Sequence, residues 1–359
     1  MKYPKKVVIL VCLCVLIVSS PHILAESKII SDKPIVFKNV NIIPMTENKI
    51  IKDQTLLVSG GKIRKIQKIN ELTLPDKAYI IRGKDKYLIP GLADMHVHIH
   101  RKSDLKLFVA NGITTVRNMY GSRKHLNFRE NVKEGELLGP QIYTASPVFN
   151  EGWTLSTGIS SQILDSHEIA KKAVKVYVKR GYDYIKVYDK LSPKIFNTIL
   201  KTAQKYDIQV VGHVSDEVGI RKVIKSGQVS IEHFNGYYSW ENKRIKPGVI
   251  DLTLKHDVWN CPTLVVWEGL KCNNFNEVRG IKYIPTQVKN KWKDKVKSLS
   301  DDRFKRNFNI FKNITKKLHK QNGRLLLGTD CNNPFVIPGF SLHRELELLV
   351  EAGLSPYEA

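Results

Sequence analysis

The sequence predicts an α/β protein: a (β/α)8 barrel of the TIM type, preceded by a small β-domain. Two observations predict the barrel. From residue 87 onwards, short apolar runs rich in β-forming residues alternate with helical stretches, and residues able to bind metal close several of these runs. The carboxyl ends of barrel strands are where this fold carries its catalytic groups. The chain of 359 residues is long enough for such a barrel and a smaller appendage.

The first segment, residues 1–25, is predicted to be a signal peptide. Lys5 and Lys6 precede an apolar run over residues 7–18, and a cleavage site is expected after Ala25. Such a run is too short for a transmembrane helix, which needs about 20 apolar residues. We therefore expect a periplasmic or secreted protein with no stable membrane span once the signal is removed. An uncleaved anchor is the alternative.

Residues 33–86 are expected to form a small β-domain. Glycine, asparagine, aspartate and proline turns divide short strands there, and Ser59-Gly60-Gly61 is a strong hairpin signal. The strands are expected at residues 35–43, 55–58, 62–67 and 78–82.

The barrel itself is expected over residues 87–359. Its eight strands are predicted at residues 87–98, 112–117, 141–145, 184–188, 210–213, 230–233, 258–266 and 325–330. Between them, the periodicity and the capping residues Asp165 and Ser192 predict helices. These are expected at residues 165–180, 193–206, 217–225 and 341–352, with a lysine-rich helical insertion at 288–321.

Six side chains are candidate metal ligands because each lies at or near the end of a predicted strand. They are His96, His98, Lys186, His213, His233 and Asp330. His96 and His98 are two residues apart on one strand, so both imidazoles point to the same face. Burying a lone lysine or aspartate among apolar strands is costly unless it is paired or coordinated. Metal binding would satisfy the whole set at once.

Two of these residues have further roles to weigh. Lys186 could form a salt bridge with Asp330 or another acid, since a protonated amine is a poor ligand. It could instead be carbamylated by carbon dioxide and bridge two ions as a carboxylate. Asp330 is the expected general base, which accepts the proton of a metal-activated water. Tyr188 and Tyr237 are candidate substrate contacts, whereas Asp94 and His100 are expected to be structural.

The formal net charge of +24 suggests attraction to anionic surfaces or substrates. Nucleic-acid binding is not expected, because the lysines are scattered and no nucleic-acid motif surrounds them. After signal removal three cysteines remain: Cys261, Cys272 and Cys331. Cys261 and Cys272 could form a disulfide in an exported protein, or all three could remain thiols.

At these residues the chain resembles the metal-dependent amidohydrolase superfamily, in the branch of imidazolonepropionase-like and Xaa-Pro dipeptidase-like enzymes. The resemblance covers the chain from about residue 35 to its end. The matching motifs are Pro90-Gly-Leu-Ala-Asp-Met-His-Val-His98, Gly112-Ile-Thr-Thr-Val-Arg117, Ile185-Lys-Val-Tyr188, Gly212-His213, Ile231-Glu-His233, Gly328-Thr-Asp330 and Pro338-Gly-Phe-Ser-Leu-His-Arg-Glu-Leu346.

The resemblance implies a barrel beside a β-sandwich built from both chain ends, and a centre with two divalent ions of the zinc type. One ion would be held by His96, His98 and Asp330, the other by His213 and His233, and carbamylated Lys186 would bridge them. It also implies hydrolysis of an amide, peptide-like or cyclic C–N bond in a small-molecule or dipeptide-like substrate by a metal-activated hydroxide. Oligomer formation is left open.

Two departures from the family pattern matter. Asn118 stands where the family usually has Asp. The chain ends after Tyr357-Glu-Ala359, where the family continues into the returning strands, so the sandwich over residues 33–86 is expected to be incomplete. The alternatives are therefore a truncated, non-catalytic remnant, a mononuclear deaminase or lactonase of the same superfamily, or a basic envelope-binding protein without chemistry.

Overall fold

The structure is a computed structural model that describes residues 33–68, 71, 73–152, 161–270, 277–297 and 301–359. The predicted signal peptide lies outside these residues. The chain divides into two compact units. The first ends at Leu92, and the second begins at Ala93. A short strand at Tyr87–Leu88 pairs within the first unit.

The first unit contains one five-stranded sheet. Its strands are β1 (Ile35–Ile42), β2 (Ile51–Ser59), β3 (Lys62–Lys68), β4 (Tyr79–Arg82) and β5 (Tyr87–Leu88). The order is β3-β2-β1-β4, with β5 also paired to β1. The predicted hairpin joins β2 to β3, and both of its glycines, Gly60 and Gly61, have the positive φ that such a two-residue turn requires. Phe37, Val40 and Leu56 are in the core of this sheet.

The second unit alternates strands and helices. Its strands are β6 (Leu92–Val97), β7 (Ile113–Asn118), β8 (Gln141–Thr144), β9 (Val148–Asn150), β10 (Ser161–Ile163), β11 (Tyr184–Val187), β12 (Gln209–Gly212), β13 (Ser230–Glu232), β14 (Tyr238–Ser239), β15 (Arg244–Ile245) and β16 (Trp259–Cys261). Its helices are α1 (Lys102–Ala110), α2 (Arg123–Lys133), α3 (His167–Lys179), α4 (Pro193–Lys205), α5 (Ile220–Lys225), α6 (Val249–Lys255), α7 (Leu264–Gly269), α8 (Thr286–Lys297), α9 (Asp301–Lys320) and α10 (Phe340–Glu351).

Most strand pairs in the second unit join neighbours along the chain. One sheet has the order β6-β7-β8, and another has the order β10-β9-β11-β12-β13-β16 with parallel pairs, in which β9 lies between β10 and β11. A separate two-stranded sheet contains β14 and β15. Parallel bridges also connect Ala145 to Tyr184, Asn260 to Leu325 and Val97 to Cys331. The predicted α/β class with parallel strands is therefore confirmed.

The eighth predicted strand, residues 325–330, is less regular than expected. Among the described residues it is held by bridges at Leu325 and Cys331 and by hydrogen bonds such as Asp330 N–H to His96 O (2.7 Å). A Cβ on Gly328 would lie 2.4 Å from the Cys261 sulfur, so only glycine allows this close approach. The left-handed φ of Asp330 then interrupts the extended backbone.

Another predicted element differs from the structure. The apolar run 258–266 was expected to be one strand, but β16 ends at Cys261 and α7 begins at Leu264. Pro262 lacks the N–H that would continue the ladder, and two buried hydrogen bonds to α10 hold the next turn as a helix.

The described residues of the insertion expected over 288–321 are helical, in α8 and α9.

The acceptor of these two hydrogen bonds is Glu345, which is fully buried on α10. Its carboxylate accepts the backbone N–H groups of Leu264 (2.9 Å) and Val265 (2.7 Å) at the start of α7. Burial raises the pKa of Glu345 to about 8, although the two N–H donors oppose the shift. The contact ties together two helices that are distant in sequence.

The raised pKa predicts a pH dependence of stability. Between the unfolded pKa of about 4.5 and the folded value of about 8, the folded chain keeps a proton that the unfolded chain has released. This contribution to the free energy of unfolding is therefore lost as pH rises, by up to about 2 to 3 kcal/mol between pH 6 and 8.

Urea unfolding of the wild type and of Glu345→Gln at both pH values measures this effect. Gln does not titrate, so we expect the variant to lose that part of the slope. Glu347→Gln, at a half-exposed position of the same helix, is the control and should keep it. An unchanged slope in Glu345→Gln would contradict the assignment.

Candidate metal centre

The six predicted metal ligands meet in one cavity of the second unit, with a volume of about 590 Å³. His96 lies in β6 and Lys186 in β11, whereas His213 and His233 directly follow β12 and β13. Asp330 precedes the bridge that joins the last segment to β6. The common position at strand ends explains why side chains so distant in sequence converge.

Asp330 is at the centre of this group. Its Oδ1 lies 2.8 Å from His98 Nε2 and 3.3 Å from His96 Nε2, and its Oδ2 lies 3.7 Å from His233 Nε2. The ring of His213 is 5.2 Å from that of His233. Donor atoms bound to one tetrahedral zinc ion at about 2.0 to 2.2 Å are separated by roughly 3.4 Å. The spacing therefore fits a shared divalent cation.

Three of the four imidazoles are oriented by a hydrogen bond on Nδ1, which leaves Nε2 for the cavity. The contacts are His96 to Glu232 (2.8 Å), His213 to Asp189 (2.7 Å) and His233 to Thr263 Oγ1 (2.6 Å). Metal-binding histidines almost always donate their second ring N–H in this way, because the bond fixes the tautomer and the ring orientation.

Burial favours the neutral form of two of these imidazoles, those of His96 and His233. It lowers the pKa of His96 to about 4, and it lowers that of His233 well below the usual value. Both rings are therefore neutral near pH 7 and have a lone pair to offer. Burial alone would raise the pKa of Asp330, but the neighbouring His233 and His96 outweigh it and hold that pKa low.

Lys186 lies on the floor of the cavity with a fully enclosed ammonium group. It is 2% exposed, and Nζ has no hydrogen-bond partner among the residues that the structure describes. The salt bridge to Asp330 weighed above is therefore absent from the described part of the chain. Burial lowers the pKa of Lys186, which favours the neutral amine, the form that reacts with carbon dioxide.

A buried ion pair between Arg117 and Glu232 supports β6, the strand that carries His96. The guanidinium of Arg117 contacts both carboxylate oxygens of Glu232 (3.0 and 3.2 Å), and Glu232 in turn holds His96. Arg117 Nε also donates to Met95 O at 2.6 Å. Burial opposes ionisation of Glu232, but Arg117 and His96 hold its pKa well below the usual value.

Sequence reasoning did not single out these supporting residues. Arg117 and Glu232 are charged residues inside apolar β-rich runs, and this is the signal that could have identified them. Asp94, expected to be structural, accepts both the hydroxyl (2.6 Å) and the N–H (3.0 Å) of Thr329. It therefore links β6 to the segment that carries Asp330.

Asn118 makes full use of its amide. Its oxygen accepts the N–H of Ile99 (3.1 Å), and its nitrogen donates to Tyr120 O (2.8 Å) and Thr144 Oγ1 (2.9 Å). The carbonyl oxygen of Tyr120 cannot donate a proton. An ionised Asp in place of Asn118 would therefore set a carboxylate oxygen against this carbonyl oxygen with no proton between them. The departure from the family pattern is therefore matched to its surroundings.

The two predicted substrate contacts have different positions. Tyr188 lines the cavity and stacks on His213, with ring centroids 4.2 Å apart. Tyr237 is fully buried, and its hydroxyl is 2.8 Å from Thr253 Oγ1 on α6. It is absent from the cavity lining, whereas its neighbour Tyr238 is part of it. This placement corrects the expectation for Tyr237, because the chain turns before β14.

The two cysteines in the described part of the chain are free thiols. Cys261 and Cys331 are buried thiols, and Cys272 lies outside the described residues. Cys261 is close to His96 and Glu232, but burial raises the pKa of its thiol well above the usual value. The thiol therefore stays protonated beside an already paired carboxylate.

A model of the amidohydrolase family matches residues 87–359, and the chain therefore belongs to this family. The superfamily predicted from the sequence is thereby confirmed. Among curated proteins, the chain is similar to an adenine deaminase from Staphylothermus marinus (26% identity over 197 residues, 50% of this chain and 32% of that protein). The match thus spans about a third of that relative's length.

Solved structures show the same fold. A bottromycin amidohydrolase superposes with a TM-score of 0.75 at 24% identity, over 96% of this chain and 79% of that one. A putative prolidase from Bifidobacterium longum gives 0.73 at 22% identity, over 91% and 81%. A Xaa-Pro dipeptidase with bound methionine gives 0.69 at 18% identity, over 90% and 84%. The likeness indicates a TIM-barrel-like α/β fold.

The ion pair behind His96 generates a prediction. Arg117→Met leaves Glu232 as a buried unpaired charge, so we expect the free energy of unfolding to fall by about 3 to 5 kcal/mol. Adding Glu232→Gln removes that charge and should restore part of the loss. Arg129→Met, which breaks a partly exposed pair with Asp183, should cost less than about 1 kcal/mol.

Denaturant unfolding of the two single variants and the double variant measures these differences. If the double variant were as unstable as the sum of both single changes, the charge pairing would not be what stabilises this region.

Proposed function

We propose that this chain is an exported, metal-dependent amidohydrolase that hydrolyses an amide, peptide-like or cyclic C–N bond. The observation that carries the proposal is the convergence of three Nε2 atoms on the carboxylate of Asp330, inside a cavity that also contains Lys186. Family membership supports the reaction class.

The residues present fit two divalent cations. His96, His98 and Asp330 would hold one ion, and His213 and His233 the other. Lys186, carbamylated through its neutral amine, would bridge them, and its unpartnered Nζ supports this role. Bound ions of the zinc type would polarise the substrate carbonyl and lower the pKa of a water to about 7.

Asp330 is the residue that moves the proton. Its carboxylate is ionised at neutral pH, and its position beside the candidate ion site would let it take a proton from the water that attacks the carbonyl carbon. As the C–N bond breaks, the same carboxyl would return that proton to the leaving nitrogen. Asn333 Nδ2, 2.7 Å from Asp330 Oδ2, holds the carboxylate in place for both steps.

The cavity wall supports a substrate with a large apolar or aromatic group. Opposite the ligands, the wall contains Tyr238, Trp240, Trp267, Trp292 and Phe311. The ring of Trp240 is 53% exposed and packs against Tyr238, with centroids 4.7 Å apart. Aromatic rings at the mouth of a cavity contribute much of the binding free energy of an apolar ligand group.

The second candidate function is a deaminase that releases ammonia from an exocyclic C–N bond. The similarity to an adenine deaminase and to a 5-methylthioadenosine/S-adenosylhomocysteine deaminase from Caldanaerobacter subterraneus (36% identity over 67 residues, 18% of this chain and 14% of that protein) supports it. This candidate would hold one ion per chain and leave Lys186 unmodified, so metal counting and ammonia release separate the two.

Two further proposals concern the first unit and the location of the protein. The sheet β1–β5 would be one part of a β-sandwich, in line with the family resemblance. Export is supported by the lysines and the apolar run before Ala25. No helix in the described part of the chain is long and apolar enough to cross a membrane.

Metal loading tests the main proposal. We expect two zinc ions per chain, the mass of one added carbon dioxide on Lys186, and loss of amide hydrolysis on chelation that zinc restores. Asp330→Asn should lower turnover by about 10²- to 10⁴-fold, and Lys186→Met should lose the added mass. Undiminished hydrolysis by chelated, metal-free protein would refute the proposal.

The aromatic wall generates a separate prediction. Trp240→Ala should raise KM for N-benzoylglycine about tenfold relative to N-acetylglycine, because an aromatic ring loses its partner. Trp240→Phe should recover most of the effect. Tyr283→Ala, a half-exposed aromatic residue outside the cavity lining, is the control. Equal changes for both substrates would count against an aromatic subsite.

A further inference from the structure

Thr263 has an unusual backbone conformation for its residue type. It follows Pro262 and has φ 48° and ψ 47°, in the left-handed region. A β-branched residue is a genuine outlier there, because its Cβ substituents crowd the neighbouring carbonyl. The side chain is fully buried, and its hydroxyl lies 2.6 Å from His233 Nδ1.

The strain has a clear structural support. The two backbone N–H groups that follow Thr263, those of Leu264 and Val265, both point at the buried carboxylate of Glu345 (2.9 and 2.7 Å). Glu345 is on α10 and is fully buried. The carboxyl group of Glu345 therefore holds the peptide units directly after Thr263 in place.

The direction of the hydrogen bond between His233 and the Thr263 hydroxyl follows from the orientation of the ring. For His233 to present a lone pair on Nε2 towards Asp330, its proton must be on Nδ1. The only hydrogen-bond partner of that nitrogen among the described contacts is Thr263 Oγ1, which then accepts the proton. Strained residues that persist in a buried site are held by their surroundings and are frequent where geometry matters for function.

We propose that Glu345 and Thr263 are positioning residues for the ion that His233 binds. Neither lines the cavity. Glu345 holds Thr263 in its left-handed conformation, and the Thr263 hydroxyl sets the tautomer and the rotation of the His233 ring. A carboxyl group outside the cavity thus determines how well the second ion is bound. The inference rests on the proposed function, because it requires that His233 is a metal ligand.

Substitutions at Thr263 separate positioning from a merely structural role. Thr263→Gly removes both the backbone strain and the hydroxyl. We expect the metal-free variant to be at least as stable in urea as the wild type, and yet to bind the second zinc about 10- to 100-fold more weakly. Thr263→Val keeps the shape without the hydroxyl and should lose the same affinity. Thr263→Ser keeps the hydroxyl and should stay within about threefold of the wild type.

Glu345 is tested on the same protein. Glu345→Gln can accept only through its carbonyl oxygen, so it should weaken binding of the second zinc less than Glu345→Ala does. Glu347→Gln on the same helix is the matched control and should leave both zinc affinities unchanged. The readouts are zinc stoichiometry and the two zinc Kd values by competition with a chromogenic chelator, next to urea midpoints of the metal-free proteins.

The outcomes divide clearly. Weaker second-ion binding in Thr263→Gly and Thr263→Val, together with an undiminished urea midpoint for Thr263→Gly, supports the inference. Wild-type zinc affinities in those two variants, or a loss of affinity only in proportion to lost stability, overturns it and leaves the proposed function standing. A wild-type protein that binds no zinc overturns both.

Discussion

The structure depends on one electrostatic constraint: a carboxylate and several imidazoles are held within hydrogen-bond distance of one another, away from water. The contacts from Asp330 to His98 and His96 connect β6 and the residues directly after it with the 325–331 segment. Burial keeps His96 and His233 neutral, whereas the neighbouring imidazoles keep Asp330 ionised against the effect of burial. Such a set has one negative charge and several lone pairs at its centre, which is the kind of donor set that suits a divalent cation.

The surrounding residues are arranged to preserve that constraint. Glu232, which is paired with Arg117, orients the ring of His96. Thr263 orients the ring of His233. Asp94 holds the hydroxyl of Thr329, the residue before Asp330. Each support comes from a different strand or loop than the ligand it orients. The orientation of the candidate ligands therefore depends on several strands and loops of the second unit and cannot be attributed to one segment.

Much of the fold and most of the centre could be predicted from the sequence, because they follow from local patterns. His96 and His98 share a strand face, and Ser192 accepts the N–H of Ile195 to begin α4 as its position before Pro193 predicts. The strands that carry Lys186 and His213 are short apolar runs ended by polar residues. These signals need no knowledge of what packs against them.

The remaining features depend on partners far away in the chain. The Leu264–Gly269 segment reads as a strand because valines favour β-structure, yet Glu345, some 80 residues later, caps it as a helix. Asn235-Gly236 indicates a turn before Tyr237, but the sequence alone does not show that the Tyr237 ring packs inward, with its hydroxyl against Thr253. The support of His96 runs through Glu232, which is 136 residues from His96 and 115 residues from Arg117, and only a tertiary structure relates these groups.

The central claim is that these side chains surround divalent cations, and anomalous diffraction from crystals of the zinc-loaded protein tests it most directly. The account predicts two peaks, roughly 3.5 to 4 Å apart, one beside His96, His98 and Asp330 and the other beside His213 and His233. Density for a carbamate on Lys186 should lie between them. Imidazoles that turn away from a common centre, with no anomalous peak in the cavity, would contradict the account.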